Sequence, residues 1–102
     1  MRVILFFDLP VITAKDRRIY SKFRKYLIAN GYMMLQFSVY SKIFNNRDAA
    51  VKHITTIKKH VPEKGSIRLM LVTEKQYAKM EILVGGKSKL EEKITPDPFI
   101  IF

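Results

Sequence analysis

The stretch that decides the fold is Arg2-Val3-Ile4-Leu5-Phe6-Phe7-Asp8-Leu9-Pro10, an apolar run that stops on a carboxylate. Val3 to Phe7 are consecutively apolar and include β-branched and aromatic residues, a composition that predicts a strand. A strand apolar on both faces is buried on both faces, and is therefore central in its sheet. Asp8 at its end has two readings. It can accept backbone N–H bonds in the turn before Pro10. Alternatively, a carboxylate at the end of a buried strand is held rigidly, as a metal ligand or general base must be.

Working outward, Thr13-Ala14-Lys15-Asp16 has the form of a capping box and starts a helix that runs to Asn30. Ile19, Tyr20, Phe23, Tyr26 and Leu27 recur at helical spacing and form its apolar stripe. Asn30-Gly31 supplies the C-terminal stop. Tyr32 to Phe44 predicts one long bent strand or two short ones, with the alternation breaking near Lys42. A second helix begins at Asn45-Asn46 and carries Ala50, Val51, Ile54, Ile57 and Val61 inward, with Lys58, Lys59 and His60 in its last turn. Pro62 to Gly65 is a turn, and Ser66 to Thr73 a strand apolar on both faces. Glu74 to Met80 predicts a short helical turn, and Met80 to Val84 a further strand ending in a hairpin turn at Gly85-Gly86. Lys87 to Lys93 is charged, and the chain closes on apolar Phe99-Ile100-Ile101-Phe102.

The order is β-α-β(β)-α-β-β with a C-terminal strand, an α+β fold with two helices on one face of a mainly antiparallel sheet. Two helices leave Ile4, Phe6, Met70 and Val72 without cover on the other face. A second copy packed there supplies it, so a homodimer is expected; the apolar tail either adds a final edge strand to the chain's own sheet or, within segment 87–102, docks on the dimer partner. A chain of 102 residues is one domain, 1–102.

Nineteen Lys and Arg against nine Asp and Glu give a net charge of +10. In a domain this small, that excess points to a polyanionic partner, most often nucleic acid, ahead of a ribosomal, membrane-surface or solubility role. The absence of cysteine excludes disulfides and thiolate metal sites. No apolar run is long enough to span a membrane, and the N-terminal run is too short for a secretion signal, so the cytoplasm is the expected location. Arg17, Arg18, Lys22, Arg24 and Lys25 place five bases in nine residues of the first helix, with Asp16 the one acid beside them. Such a face can hold a phosphate backbone but reads no base identity. His53 and His60 are two helical turns apart, ~10 Å, too far to share a metal. Gly85-Gly86-Lys87 lacks the spacing of a phosphate-binding loop.

Three stretches taken together, VILFFDLP with Asp8, DRRIYSKFRKYL with Arg17 and Arg18, and GYMMLQFSVYSKIF with Gln36 to Tyr40, resemble the CRISPR-associated protein 2 family. The order of elements agrees over nearly the whole chain. The resemblance implies a ferredoxin-like fold and a symmetric homodimer. It implies a metal-dependent endonuclease acting on RNA or DNA, with Asp8 as catalytic residue and Mg²⁺ ligand, paired with its copy in the other chain. It also implies a scaffolding role in spacer acquisition, in which the dimer sits between copies of the CRISPR integrase while its basic surface holds double-stranded DNA. Many members have Tyr where this chain has Phe7, and Glu-Gly where it has Ser41-Lys42. A toxin-type ribonuclease of the same fold is an alternative. An RNA-recognition motif would show a basic-Gly-aromatic strand signature, which does not occur.

Overall fold

The two-faced apolar run at the N-terminus lies where its composition requires, in the middle of a sheet. The structure, a computed structural model, describes residues 1–86. In chain order the elements are β1 (Arg2–Asp8), α1 (Ala14–Ala29), β2 (Met33–Gln36), β3 (Val39–Ile43), α2 (Arg47–Ile57), β4 (Ser66–Val72) and α3 (Glu74–Ala78). The strands form one sheet in the order β2-β3-β1-β4, every pairing antiparallel. This is the α+β, ferredoxin-like arrangement expected from the sequence. The expected C-terminal strand and the docking of segment 87–102 lie outside the described residues.

Alternation along β1 divides the core in two. Val3, Leu5 and Phe7 face α1 and α2, where they join Phe23, Leu27, Tyr40, Ala50 and Ile57. Full burial of each large apolar side chain there stabilises the fold by about 1.5–3 kcal/mol. Phe7 is the hub of an aromatic group, its ring 5.4 Å from Phe23, 5.6 Å from Tyr40 and 5.7 Å from Tyr20. A smaller cluster on the opposite face joins Ile4, Val72 and Tyr77, with Leu35 and Val39 packed against it.

That second cluster exists because α3 lies across the far face. Thr73 and Gln76 cap its start reciprocally. Arg2, buried at the head of β1, donates through Nε and Nη2 to the two carboxylate oxygens of Glu74 at 3.0 and 2.9 Å. Its guanidinium also lies 3.6 Å above the Tyr77 ring. Bidentate, charge-assisted bonds with a cation–π contact offset the cost of burying the guanidinium. The sheet therefore has helices on both faces, where the sequence pattern placed them on one. Cover on the second face is incomplete: Phe6 and Met70 remain 38% and 48% exposed.

Three local expectations are corrected. Residues 32–44 form a hairpin that reverses at Phe37-Ser38, and the break falls there and not near Lys42. Ser38 takes a positive φ of 65°, and its carbonyl accepts the Phe7 N–H at 3.1 Å, which fixes the reversal against β1. Residues 80–84 form no strand among the described residues, and Leu83 and Val84 are 87% and 93% exposed. The helix α2 stops at Ile57, one turn early, so His60 lies beyond it.

Two contacts tie the loops to this frame. Gly65, at φ +96°, lies so close to the end of β1 that a Cβ built there would be 2.7 Å from the Asp8 carbonyl oxygen and 2.6 Å from Leu9 Cδ2. His53 of α2 meets Tyr32, just before β2, with Nε2 2.9 Å from the hydroxyl. Burial, with Tyr26 adding to it, holds the Tyr32 hydroxyl well above the ordinary tyrosine range, so the phenol keeps its proton in this hydrogen bond. Burial, and then the charge of Lys42, lower the pKa of His53.

Gly65→Ala is expected to cost about 1–3 kcal/mol of unfolding free energy through backbone strain and collision with β1. Gly86→Ala, where nothing stands within 4 Å, is expected to change little; urea unfolding of both proteins compares them. For His53 the folded state refuses a proton that the unfolded chain takes up below about pH 6.5. Its contribution is therefore present above that value and is lost as pH falls through the lower folded pKa. Thermal unfolding from about pH 8 down to about pH 5 is expected to show a falling Tm that His53→Phe flattens.

Candidate metal and nucleic-acid site

Asp8 is the last residue of β1 and stands opposite Ser66 in the ladder, with Phe6 opposite Arg68. Alternation puts Asp8 on the face shared by Arg2, Ile4 and Phe6, together with Ser66, Arg68, Met70 and Val72 of β4. The side chain is exposed, and among the described residues its carboxylate takes part in no hydrogen bond or ion pair. Turn capping, one of the two possibilities raised by the sequence, is therefore not what occupies this carboxylate. The loop that follows is secured on both sides. Gly65 packs against the Asp8 carbonyl, and Arg17 Nη1 donates to the carbonyls of Val11 and Ile12 at 3.2 and 2.9 Å. The carboxylate is free while its backbone is fixed, a combination suited to ligation.

Arg68 is a residue that sequence reasoning missed. It is exposed, has no ion pair among the described residues, and is the diagonal neighbour of Asp8 across β1 and β4. Diagonal neighbours on one face are ~7–8 Å apart, within reach of a common phosphate. Alternation within β4 groups Arg68 with Met70 and Val72. Only the strand register brings it next to Asp8.

For a divalent cation, Asp8 provides a hard oxygen ligand without a competing partner. Among the described residues no three or more His, Cys, Asp or Glu side chains converge on a common point. Mg²⁺ keeps several waters and commonly takes one or two carboxylates, so Asp8 fits as part of such a set.

The five bases of α1 divide into two kinds. Arg17 clamps the preceding loop, and Arg24 Nε donates to the Tyr40 hydroxyl at 3.1 Å, so both are partly committed to the fold. Arg18, Lys22 and Lys25 are exposed and carry no ion pair or hydrogen bond among the described residues. Between Arg2 and Glu74 lies the one ion pair found among the described residues. The two histidines also part company: His53 bonds Tyr32, while His60 stacks on Tyr26 at 4.5 Å between ring centres. Phe37, within the QFSVY stretch, is 80% exposed at the tip of the β2–β3 hairpin. No helix among the described residues is long and apolar enough to cross a membrane.

Comparison with known proteins matches this frame to a family. The model described as CRISPR associated protein Cas2 fits residues 1–80, from the head of β1 past the end of α3. The chain belongs to the Cas2 family. A CRISPR-associated endoribonuclease Cas2 of Acidovorax ebreus is 46% identical over 102 residues, covering all of both chains. Its namesake in Treponema denticola is 52% identical over 104 aligned positions, 99% of each chain. That of Streptococcus mutans is 51% identical over 87 residues, 85% of this chain and 80% of the relative. At the position where many Cas2 proteins have Tyr, Phe7 is 6% exposed within its aromatic group, and no hydroxyl has to be satisfied there.

Proposed function

We propose that this protein acts as a symmetric homodimer in CRISPR adaptation, binding nucleic acid and hydrolysing RNA or DNA phosphodiesters at a paired Asp8 site. The observation that carries the reading is the placement of Asp8. An unpartnered carboxylate at a rigid strand end shares its sheet face with half-covered Phe6 and Met70. A second copy seated on that face covers the apolar residues and brings a second carboxylate, which completes the thin ligand set of one chain. The endoribonuclease names of relatives that match along the whole chain support the same reaction.

In this mechanism the two Asp8 carboxylates would hold the cation. Bound Mg²⁺ would supply charge neutralisation at the transferring phosphoryl group and lower the pKa of a coordinated water. Arg68 contributes a positive group within reach of the phosphate, where charge grows in the transition state. Ser66 and Gly65 hold the end of β1 in register, so the carboxylate stays where it is needed without reorganisation. Arg18, Lys22 and Lys25 keep the phosphate backbone on the surface, with Arg17 and Arg24 adding charge from their anchored positions.

A second role is favoured by those three unpaired cations. The dimer also acts as a scaffold, holding duplex DNA on its basic helices while the CRISPR integrase works at its ends. This role needs the charge and the dimer but not Asp8.

Asp8→Ala is expected to abolish Mg²⁺-dependent cleavage while light scattering still reports a dimer. Cleavage at the wild-type rate would assign the activity elsewhere, and a monomer mass at micromolar wild-type protein would remove the paired site. Arg18→Glu, Lys22→Glu and Lys25→Glu together are expected to abolish spacer integration, which Asp8→Ala leaves intact. The same triple variant is expected to reduce the salt slope of duplex binding by about 3, since each phosphate neutralised by a cation contributes ~0.9 to that slope.

A further inference from the structure

Beside α1 lies a half-open groove of about 370 Å³, within the range of small-ligand sites. One wall is the inner flank of α1, and the other is the segment from His60 to Lys64 that leads into β4. Its inner end is Leu9-Pro10, the two residues directly after Asp8, which ties the groove to the same end of the sheet as the carboxylate. The floor is apolar, with Ile19, Phe23 and Val61 among its lining. Lys15, Lys22 and Lys64 belong to the same lining, are exposed, and have no ion pair among the described residues. Of the two carboxylates in the lining, Asp16 already accepts the Thr13 N–H at 3.2 Å. Glu63 makes no bond among the described residues.

A third feature separates this groove from a plain apolar cleft. Tyr26 and His60 both line it, and their rings stack at 4.5 Å and 21°. His60 is exposed, so its ring is within reach of a further flat ring. An aromatic platform beside unpaired lysines is the combination by which proteins hold single-stranded nucleic acid. The lysines attract the phosphates, the rings take the base, and a free carboxylate can accept from a base amino group.

We infer that the groove between α1 and the His60–Lys64 segment is a subsite for one unpaired nucleotide of a bound RNA or DNA strand. The base stacks on the His60–Tyr26 pair, and its phosphates lie among Lys15, Lys22 and Lys64. This subsite rests on the nucleic-acid-binding function proposed above, and adds to it a discrimination that the α1 cations cannot make. Backbone contacts hold any duplex, whereas a stacking platform needs a base already out of its stack. The anchored base need not be of one kind, since every base offers a π-face.

The test uses full-length protein in the Asp8→Ala background, so that bound strands survive. Fluorescence anisotropy measures affinity for a short single-stranded oligonucleotide and for a blunt duplex of the same sequence, and amide NMR shifts locate each. The single strand is expected to shift amides around Tyr26 and His60–Lys64. His60→Ala is expected to weaken single-strand binding roughly tenfold, within the range for removing one stacked base, and to leave duplex affinity unchanged. His60→Phe keeps a flat ring and is expected to restore most of that affinity. Equal weakening on both probes, or single-strand binding indifferent to His60→Ala, overturns the subsite while the broader function stands. No binding of either probe overturns both. Groove shifts reproduced by inorganic phosphate alone would reduce the site to a simple anion site, and shifts produced on diluting the protein alone would assign the groove to a second copy; either result overturns the inference.

Discussion

Every other feature depends on one constraint: β1 is hydrogen-bonded along both edges and packed on both faces. Its register is fixed twice, by β3 from Arg2 to Phe6 and by β4 from Arg2 to Asp8. A slip of one residue would turn Val3, Leu5 and Phe7 away from the helices and bring Asp8 into the apolar core. Double-sided pairing makes such a slip very costly, and so the position of the carboxylate is set with the same stringency as the core. β3 stops pairing with β1 at Phe6, while β4 continues to Asp8. The last residue of β1 is therefore held on one edge and open on the other, and its side chain projects from the uncovered end of the far face.

The two faces of that strand are satisfied by different chemistry. Toward α1 and α2 the solution is a continuous hydrophobic cluster with an aromatic centre. On the far face it is the Arg2–Glu74–Tyr77 arrangement, which fastens a five-residue helix that could not stand alone. This helix covers one end of the far face, over Ile4 and Val72, and leaves the Asp8 end with Phe6, Arg68 and Met70 exposed. The boundary between covered and uncovered sheet thus falls across the middle of β1. In the homodimer proposed above, a symmetric partner seated on the remainder would bring its own strand end with it.

Much of this was legible in the sequence, and the misses share a cause. The unbroken apolar run of β1, the capping box at Thr13 and the helical stripe of α1 all report local preferences, and each element is found where its residues place it. The hairpin at Phe37-Ser38 was obscured because its reversal uses a serine at positive φ, where turn signals lead one to expect Gly or Asn. Residues 80–84 have strand composition, but composition cannot say whether a segment joins a ladder. α3 was visible as a helical turn, yet the buried Arg2 that fastens it to the far face depends on a contact 72 residues away in sequence. At the candidate site, Asp8 was legible because it interrupts an apolar run. Arg68 was not, since its relation to Asp8 exists only in the register of β4 against β1. The α1 bases were legible as a group, but their division between Arg17 and Arg24, held by the fold, and Arg18, Lys22 and Lys25, left unpaired, depends on the third dimension.

That division bears on what the charge is for. A net +10 on 102 residues costs stability through self-repulsion, and acids placed among the bases would relieve it. The described surface does little of this: the one ion pair found there is spent on fastening α3, and the exposed cations of α1 go unpaired. Cations left unpaired on a rigid helix have no protein carboxylate to give up, so they gain fully when a phosphate backbone meets them and releases its own counterions. Such a surface binds strongly but with little discrimination, because each phosphate looks like the next. On the function proposed above, selectivity would then reside in features that a uniform backbone does not satisfy. This molecule has two of them at the same end of its sheet: a carboxylate with an adjacent arginine at the end of β1, and a flat aromatic pair lining the groove that begins one residue later.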